Sequence, residues 1–364
     1  MKAVFDLKEA MDKKMISTNR KVVTFGEVML RLTAPDFRRF SQTNEFIATY
    51  GGSEANVAVS LANFGIPTEF VTRLPDNAMA QACIASLRAN GLGTEEIVFG
   101  GKRMGLYFLE SGASFRNSNV VYDREGSSFA TLRPGMIDWE KIFADADWFH
   151  WSGIAASLSQ EGADACLEAL QTADRMGLTI SCDLNVRKKL WNYGRSVADV
   201  MLPLVQYSDV IFGAEPEYKE VFDIAPVGFQ AVDTAYPLDL KGFETFGQKI
   251  SHIVPRCRKV FLELRNTITS NHNLLAAVLY SDQTLKYTGI YDITHEVDRI
   301  GTGDAFVGGM IYGLLTYPDN DQKALEFALA ASALKNTVYG DFNQVTVEEV
   351  ESLMKGNTSG RVTR

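Results

Sequence analysis

The strongest chemical signal in the sequence is the segment Asp298-Arg299-Ile300-Gly301-Thr302-Gly303-Asp304-Ala305-Phe306. Gly301 and Gly303 allow the backbone to turn tightly, and the apolar residues that follow predict a helix beginning there. Unpaired N–H groups and the helix dipole make such a helix start an anion site. Asp304 lies beside it, and a carboxylate in that place can deprotonate a hydroxyl that attacks a phosphate. The alternative is that Asp304 only caps the helix.

Two other nucleotide-binding patterns are excluded. No segment matches the P-loop pattern G-x-x-x-x-G-K-[ST], and the nearest one, residues 242–249, has Gln248 where the lysine belongs. The segment 301–306 is not G-x-G-x-x-G, because Phe306 occupies the last position. The sequence therefore predicts phosphate binding by a different kind of helix start.

Composition limits the possible partners and compartments. The chain has 364 residues, of which 46% are hydrophobic, and its net charge of −9 argues against general nucleic-acid binding. No stretch has the roughly 18 apolar residues that a membrane span requires. The cysteines are scattered, which disfavours both a disulfide scaffold and a zinc site, and we expect a reducing, cytoplasmic setting. They are Cys83, Cys166, Cys182 and Cys257.

Short apolar runs alternate with helical patterns from Lys21 onward. We expect strands at 22–26, 69–72, 148–151, 178–184, 209–212 and 259–264, and helices at 53–64, 78–90, 303–315 and 321–339. Strands separated by helices indicate βαβ units and hence a mostly parallel sheet. The predicted fold class is therefore α/β, a three-layer αβα sandwich.

Residues 33–50 and 103–132 interrupt this alternation with strand-like runs and no helix between them. Antiparallel strands inserted into a parallel scaffold often form a lid over a site, so we expect a small β lid. The alternative is a surface excursion with no role in binding. We expect residues 1–20 to be an N-terminal extension, 21–354 to be one domain with its lid, and 355–364 to be a polar tail.

Two signatures resemble those of the ribokinase-like (PfkB) carbohydrate kinases. Residues 298–306 resemble the C-terminal signature, with Asp304 in the place of the catalytic aspartate. Residues 51–65, which begin Gly-Gly-Ser-Glu-Ala-Asn-Val-Ala, resemble the N-terminal one, in which the glycine pair admits the sugar and the asparagine binds its hydroxyls. The resemblance implies a ribokinase-like fold over roughly residues 21–354. It also implies ATP and Mg²⁺ as cofactors and Gly52 and Asn56 as sugar contacts. The γ-phosphate would then lie against Gly301, Thr302 and Gly303.

Three further stretches are most similar to the kinases of 2-keto-3-deoxygluconate within this family. They are residues 105–108, 122–127 and 182–191. The resemblance implies that Tyr107, Tyr122, Arg124 and Arg187 surround an acid sugar, with Arg187 nearest its carboxylate. A carboxylate needs a charge-assisted donor such as arginine, which a neutral sugar does not. The alternatives are a solvated charge on a hairpin for Arg124 and a structural ion pair for Arg187.

The nucleotide side departs from the pattern of relatives. Many carry N-x-x-E, whose glutamate helps to organise Mg²⁺ through water; here Ala214 replaces the asparagine and Glu217 remains. The alternative for Glu217 is a first-turn acid that stabilises the helix dipole. Relatives also often have a lysine and a glycine-rich turn after the strand predicted at 259–264, where this chain has Arg265 and no glycine before Asn273. The resemblance implies Arg265 and Asn336 as nucleotide contacts.

The expected activity is ATP-dependent phosphorylation of 2-keto-3-deoxygluconate at its terminal hydroxyl. Two alternatives remain at this point. One is a kinase of the same family for a neutral sugar such as fructose or ribose. The other is a catalytically inactive sugar-binding protein with the same fold. The resemblance also implies a homo-oligomer, because relatives often pair through their lids.

Overall fold

The structure, a computed structural model, describes residues 20–358 and residue 360. The predicted extension therefore lies outside the described residues except for Arg20, and so does part of the polar tail. The strands are β1 (Val22–Phe25), β2 (Met29–Thr33), β3 (Ile47–Gly51), β4 (Thr68–Val71), β5 (Arg73–Leu74), β6 (Val98–Phe99), β7 (Gly105–Glu110), β8 (Asn119–Asp123), β9 (Trp148–Ser152), β10 (Thr179–Asp183), β11 (Val210–Phe212), β12 (Lys259–Thr269), β13 (His272–Ser281), β14 (Thr284–Tyr287) and β15 (Tyr291–Ile293). The α-helices are α1 (Ser53–Asn63), α2 (Ala78–Ala89), α3 (Trp139–Phe143), α4 (Gly153–Ser157), α5 (Gln160–Arg175), α6 (Val197–Val205), α7 (Glu215–Phe222), α8 (Leu240–Ile253), α9 (Thr302–Thr316), α10 (Asp321–Lys335) and α11 (Val347–Met354).

The main sheet has the strand order β14-β13-β12-β11-β10-β9-β1-β4, with β15 also paired to β13. The strands from β4 to β12 in this order run parallel, and β13 begins the antiparallel edge. Strand β12 alternates between two cores. Val260 and Leu262 face the core that contains α5 to α8, whereas Phe261 faces the core that contains α9 to α11. The sheet is thus covered by helices on both faces, and the predicted three-layer sandwich is confirmed.

The lid is a separate sheet with the order β3-β2-β7-β8. Strand β2 pairs in parallel with β7, and the other two pairings are antiparallel. Phe46 and Phe108 pack edge to face, with ring centroids 5.9 Å apart. Strands β3, β7 and β8 fall within or at the edge of the expected ranges, but β2 lies at 29–33 and meets the expected range 33–50 only at Thr33. None of the helices in the described ranges has the length and apolar character needed to cross a bilayer.

Most predicted elements end within a residue of the observed ones, and two differ more. Helix α10 ends at Lys335 rather than near residue 339. Strand β12 was expected to end at Leu264, but it continues to Thr269 in a long hairpin with β13. The turn of this hairpin reaches the lid, where the Ser270 N–H donates to the Ser114 carbonyl at 2.8 Å. Arg265 therefore lies within a strand, and a phosphate-binding turn over 265–273 is absent from this part of the described chain.

Candidate active site

A cavity of about 460 Å³ lies between the lid and the C-terminal ends of β10 and β11. Ligands of open α/β sheets bind at this edge, outside the carboxyl ends of the strands. All but one of the residues expected at the site line it. They are Gly52, Asn56, Tyr107, Tyr122, Arg124, Arg187, Glu217, Arg265, Gly301, Thr302, Gly303 and Asp304. The fold thus brings together residues from the lid, from three segments that follow strands, and from the start of α9.

Asp304 lies in the first turn of α9 and both of its carboxylate oxygens accept hydrogen bonds. Ser53 Oγ donates to Oδ1 and Asn56 Nδ2 donates to Oδ2, each at 2.7 Å. Burial raises the pKa of Asp304 above its ordinary value, while the hydrogen bonds from Asn56 and Ser53 oppose that rise. A carboxylate with a raised pKa is a better proton acceptor near neutral pH. Asn56, expected on the sugar, here also orients Asp304.

The start of α9 forms an anion site. Gly301 has φ of 83°, and a Cβ there would lie 2.1 Å from the Asp341 carbonyl oxygen, so only glycine fits. No side chain of the described residues caps this helix. The Thr302 N–H donates to the Arg299 carbonyl at 3.4 Å, whereas the first-turn N–H groups of Gly303 and Asp304 remain for a ligand. Arg265 donates to Thr302 Oγ1 at 2.6 Å, and Arg299 also lines the cavity. Arg299 lies within the signature, but no role for it was predicted from the sequence.

The four residues expected around the sugar differ in their surroundings. The rings of Tyr107 and Tyr122 are 5.8 Å apart. Arg124 is buried and forms an ion pair with Glu27, so it is not a solvated charge. Arg187 is half exposed, and its Nη1 lies 3.8 Å from a carboxylate oxygen of Glu217. Of the two arginines, Arg187 therefore has the more available guanidinium.

A buried ion-pair network, which the sequence did not indicate, connects the lid to Asp298 before α9 and to Asp341 after α10. Arg31 of β2 donates to Asp341 at 2.8 Å and to Asp298 at 2.5 Å. The Tyr107 hydroxyl of β7 donates to the same Asp341 carboxylate at 2.6 Å. Arg31 and Asp341 are 310 positions apart, and only the fold brings them together. The network places the lid strands directly against the anion site.

Glu217 has two sets of contacts. Its carboxylate accepts from the Ala214 N–H at 2.8 Å, which is the first-turn role considered as the alternative. It also lines the cavity, and burial raises its pKa while Arg187 opposes that rise. Among the described residues, no three His, Cys, Asp or Glu side chains are grouped closely enough to hold a metal ion. This arrangement fits Mg²⁺ only as an ion bound through waters and phosphates, which is how Mg²⁺ is commonly held.

Asn336 differs from the expectation. It is fully buried just after α10 and does not line the cavity. Its side-chain Nδ2 donates to the Ser332 carbonyl, and its backbone carbonyl accepts from the Val297 N–H at 2.8 Å. Asn336 lies at the C-terminal end of α10, against the segment 297–300. Its contacts are therefore those of a packing residue rather than of a nucleotide ligand.

An acidic residue beside an uncapped glycine-rich helix start, in a cleft under a β lid, provides the groups that phosphoryl transfer needs. Residues 19–235 and 273–346 match the family model of the pfkB family carbohydrate kinases, and the chain belongs to this family. The family prediction from the two signatures is thereby confirmed.

Three relatives illustrate the similarity. The chain is 32% identical over 345 residues to a 2-dehydro-3-deoxygalactonokinase from Haloferax volcanii, covering 93% of this chain and 98% of the relative. It is 25% identical over 349 residues to a 5-dehydro-2-deoxygluconokinase from Geobacillus kaustophilus, covering 94% and 96% of the two chains. The crystal structure of a 2-dehydro-3-deoxygluconokinase from Thermotoga maritima is 40% identical, with a TM-score of 0.85, and the match covers 93% of this chain and all of that one.

Proposed function

We propose that this protein transfers the γ-phosphate of ATP to the terminal hydroxyl of 2-keto-3-deoxygluconate, giving the 6-phospho product and ADP. The observation that carries the proposal is that Asp304 and the uncapped start of α9 share one cavity with Arg187. The names of the three relatives support a keto-deoxy sugar or sugar acid as the acceptor. The test is coupled detection of ADP with a panel of keto-deoxy acids and neutral sugars.

Asp304 is the general base in this proposal. Its carboxylate orients the acceptor hydroxyl and takes the proton as oxygen attacks phosphorus. The N–H groups at the start of α9 stabilise the charge on the transferred phosphoryl group, because they are oriented before the reaction begins. Arg265 contacts the same turn through Thr302 and adds positive charge there. Mg²⁺, when bound, neutralises phosphate charge, and Glu217 would hold it through water.

Arg187 is the proposed reader of the substrate carboxylate. Its guanidinium is half exposed, lines the cavity, and lies 3.8 Å from the carboxylate of Glu217. A planar fork of donors matches a carboxylate with two parallel hydrogen bonds. Arg124, by contrast, is already paired with Glu27. The Arg124–Glu27 pair therefore contributes little net charge for attracting an acid.

The pairing of Arg124 also favours a second candidate, a kinase for a neutral sugar. With Arg124 paired closely to Glu27, Arg187, which lies 3.8 Å from Glu217, is the more available of the two arginines expected at the sugar. The panel separates the two candidates, since the acid-sugar kinase should have the higher kcat/KM for keto acids. An inactive sugar-binding protein is disfavoured by the intact and hydrogen-bonded Asp304, and ADP release with any acceptor would eliminate it.

The lid is also the proposed contact between copies of this chain. Ile47 and Val121 of the lid sheet, and Phe46 beside it, are exposed apolar side chains. Light scattering of the wild type and of Ile47→Asp tests this, with a loss of the oligomer expected in the variant. A cytoplasmic location is proposed because all four cysteines are free thiols in the described part of the chain and buried.

A further inference from the structure

Asn185 lies near Asp304 in the cavity, and the proposed function gives this residue no role. It follows β10 by two residues, lines the cavity and is 4% exposed. Its φ of 36° is in the left-handed region, which asparagine and glycine tolerate better than other residues. Its backbone N–H donates to Asp183 Oδ1 at 3.2 Å. The backbone therefore holds the Asn185 side chain in a defined place.

The side chain of Asn185 connects to Asp304 through one hydroxyl. Asn185 Nδ2 donates to Ser53 Oγ at 2.8 Å, and Ser53 Oγ donates to Asp304 Oδ1 at 2.7 Å. A serine hydroxyl has one hydrogen to give and can accept others. Because Asn185 supplies a donor to the oxygen, the hydrogen of Ser53 is directed to Asp304. The order of donors in the chain Asn185–Ser53–Asp304 is thus fixed.

The contribution of Asn185 comes from its donor end. Nδ2 also lies 3.3 Å from Asp183 Oδ2, so both neighbours of the nitrogen are acceptors. Oδ1 is buried and has no hydrogen-bond partner among the described residues. The placement of nitrogen and oxygen in the amide follows from these neighbours. A residue kept only for packing would not need its donor directed at Ser53.

We propose that Asn185 is a positioning residue for the phosphoryl-transfer step: through Ser53, it holds the Asp304 carboxylate in the orientation in which it accepts the proton of the acceptor hydroxyl. The inference rests on the proposed role of Asp304 as general base, and it does not depend on which sugar is the acceptor. Asn56 donates to the other carboxylate oxygen, so Ser53, oriented by Asn185, and Asn56 hold the two oxygens of Asp304.

Three variants test the chain of hydrogen bonds. Asn185→Gly suits the positive φ and removes the donor without adding charge, and kcat should fall roughly threefold to tenfold with the KM values for sugar and ATP little changed. Ser53→Ala removes the bond to the carboxylate itself, and kcat should fall roughly 10- to 100-fold. The double variant should resemble Ser53→Ala alone, because Asn185 acts through Ser53.

The pH profile separates positioning from a general loss of stability. Each variant removes support for the ionised Asp304, so the acidic limb of kcat/KM should move to higher pH. The control is Asn273→Ala, which removes another buried amide, one that donates to Glu296 at 2.5 Å. It should lower thermal stability and leave the acidic limb in place.

All assays use the acceptor with the highest kcat/KM in the panel, with Asp304→Asn measured alongside. If Asp304→Asn is inactive while Asn185→Gly has the wild-type kcat and pH limb, the role of Asn185 is refuted and the proposed function stands. Additive losses in the double variant would also refute it. Wild-type turnover by Asp304→Asn would overturn the proposed function and this inference together.

Discussion

The guanidinium of Arg124 pairs with the carboxylate of Glu27, and only 6% and 2% of the two side chains are exposed. The Ser127 hydroxyl donates to the other oxygen of Glu27 at 2.5 Å. A buried charge with its own counter-ion is costly to separate and gains little from a second anion. Arg187 has a half-exposed side chain and a contact of 3.8 Å. Arg124 is therefore expected to act through its pair with Glu27, whereas Arg187 is available to bind a substrate carboxylate.

Arg187→Ala should lower kcat/KM for the keto acid by one to two orders of magnitude. A charge-assisted bidentate contact is worth roughly 1.5–3 kcal/mol, and about 1.4 kcal/mol corresponds to a factor of ten. Arg187→Lys should recover only part, because a point charge cannot reproduce the planar fork. The value of kcat/KM for a neutral ketose should fall little in either variant. Equal losses for both substrates would assign Arg187 to the fold and favour the neutral-sugar kinase.

Asp304→Asn should reduce kcat by roughly 10²–10⁴, the usual contribution of a general base. The amide keeps an acceptor for Ser53 but brings an N–H group against Asn56 Nδ2, so circular dichroism should be unchanged while the melting temperature falls. The measurement is steady-state kinetics with the best acceptor, checked for traces of wild-type enzyme. Turnover near the wild-type value would remove Asp304 from the role of base.

Glu217→Gln should raise the Mg²⁺ concentration needed for half-maximal activity and lower kcat. The amide oxygen can still accept from the Ala214 N–H, so the helix cap is retained while the negative charge is lost. Titration of activity with Mg²⁺ at fixed ATP measures the effect. A variant with the Mg²⁺ dependence of the wild type would limit Glu217 to capping α7.

Glu54→Gln should reduce the dependence of stability on pH. Burial raises the pKa of Glu54 to about 7, although a hydrogen bond from Ser152 opposes the rise. The folded state then keeps a proton that the unfolded state releases, so the contribution of Glu54 to stability is greatest at low pH and falls as pH rises toward 7. Between pH 5.5 and 8 the free energy of unfolding should fall by roughly 2 kcal/mol less in the variant. Urea titrations of the wild type and the variant at the two pH values measure this difference. The same change in the free energy of unfolding for both proteins would contradict the prediction.

Cleavage by proteases within residues 103–132 should slow when the keto acid is added. Tyr107 and Arg124 of this segment line the cavity, so a bound sugar that contacts them should hold the segment in place. Limited proteolysis with mass spectrometry identifies the cut sites, and a cut site in the 223–239 loop serves as the internal control. Unchanged cleavage at saturating sugar would show that the segment does not respond to the substrate and would contradict its role as a lid.

The sequence by itself determined the catalytic signature and the order of the elements. Gly301 to Asp304 are contiguous, and the start of a helix is formed by neighbouring residues. The anion site there can therefore be predicted without knowledge of the tertiary structure. The alternation of strands and helices is likewise local and predicted the parallel sheet. Extending β12 to Thr269 was not predictable in this way, because a strand end depends on its partner, here β13.

Only the tertiary structure decided which charges are free and which residues orient Asp304. Glu27 and Arg124, Arg31 and Asp341, and Ser53 and Asn185 are far apart in the chain and meet through packing. Spacing in the sequence reports nothing about such contacts, because nothing local distinguishes an arginine whose counter-ion arrives from a distant segment. Burial then sets the outcome, since a paired, dehydrated charge and a half-exposed one differ in what they can bind.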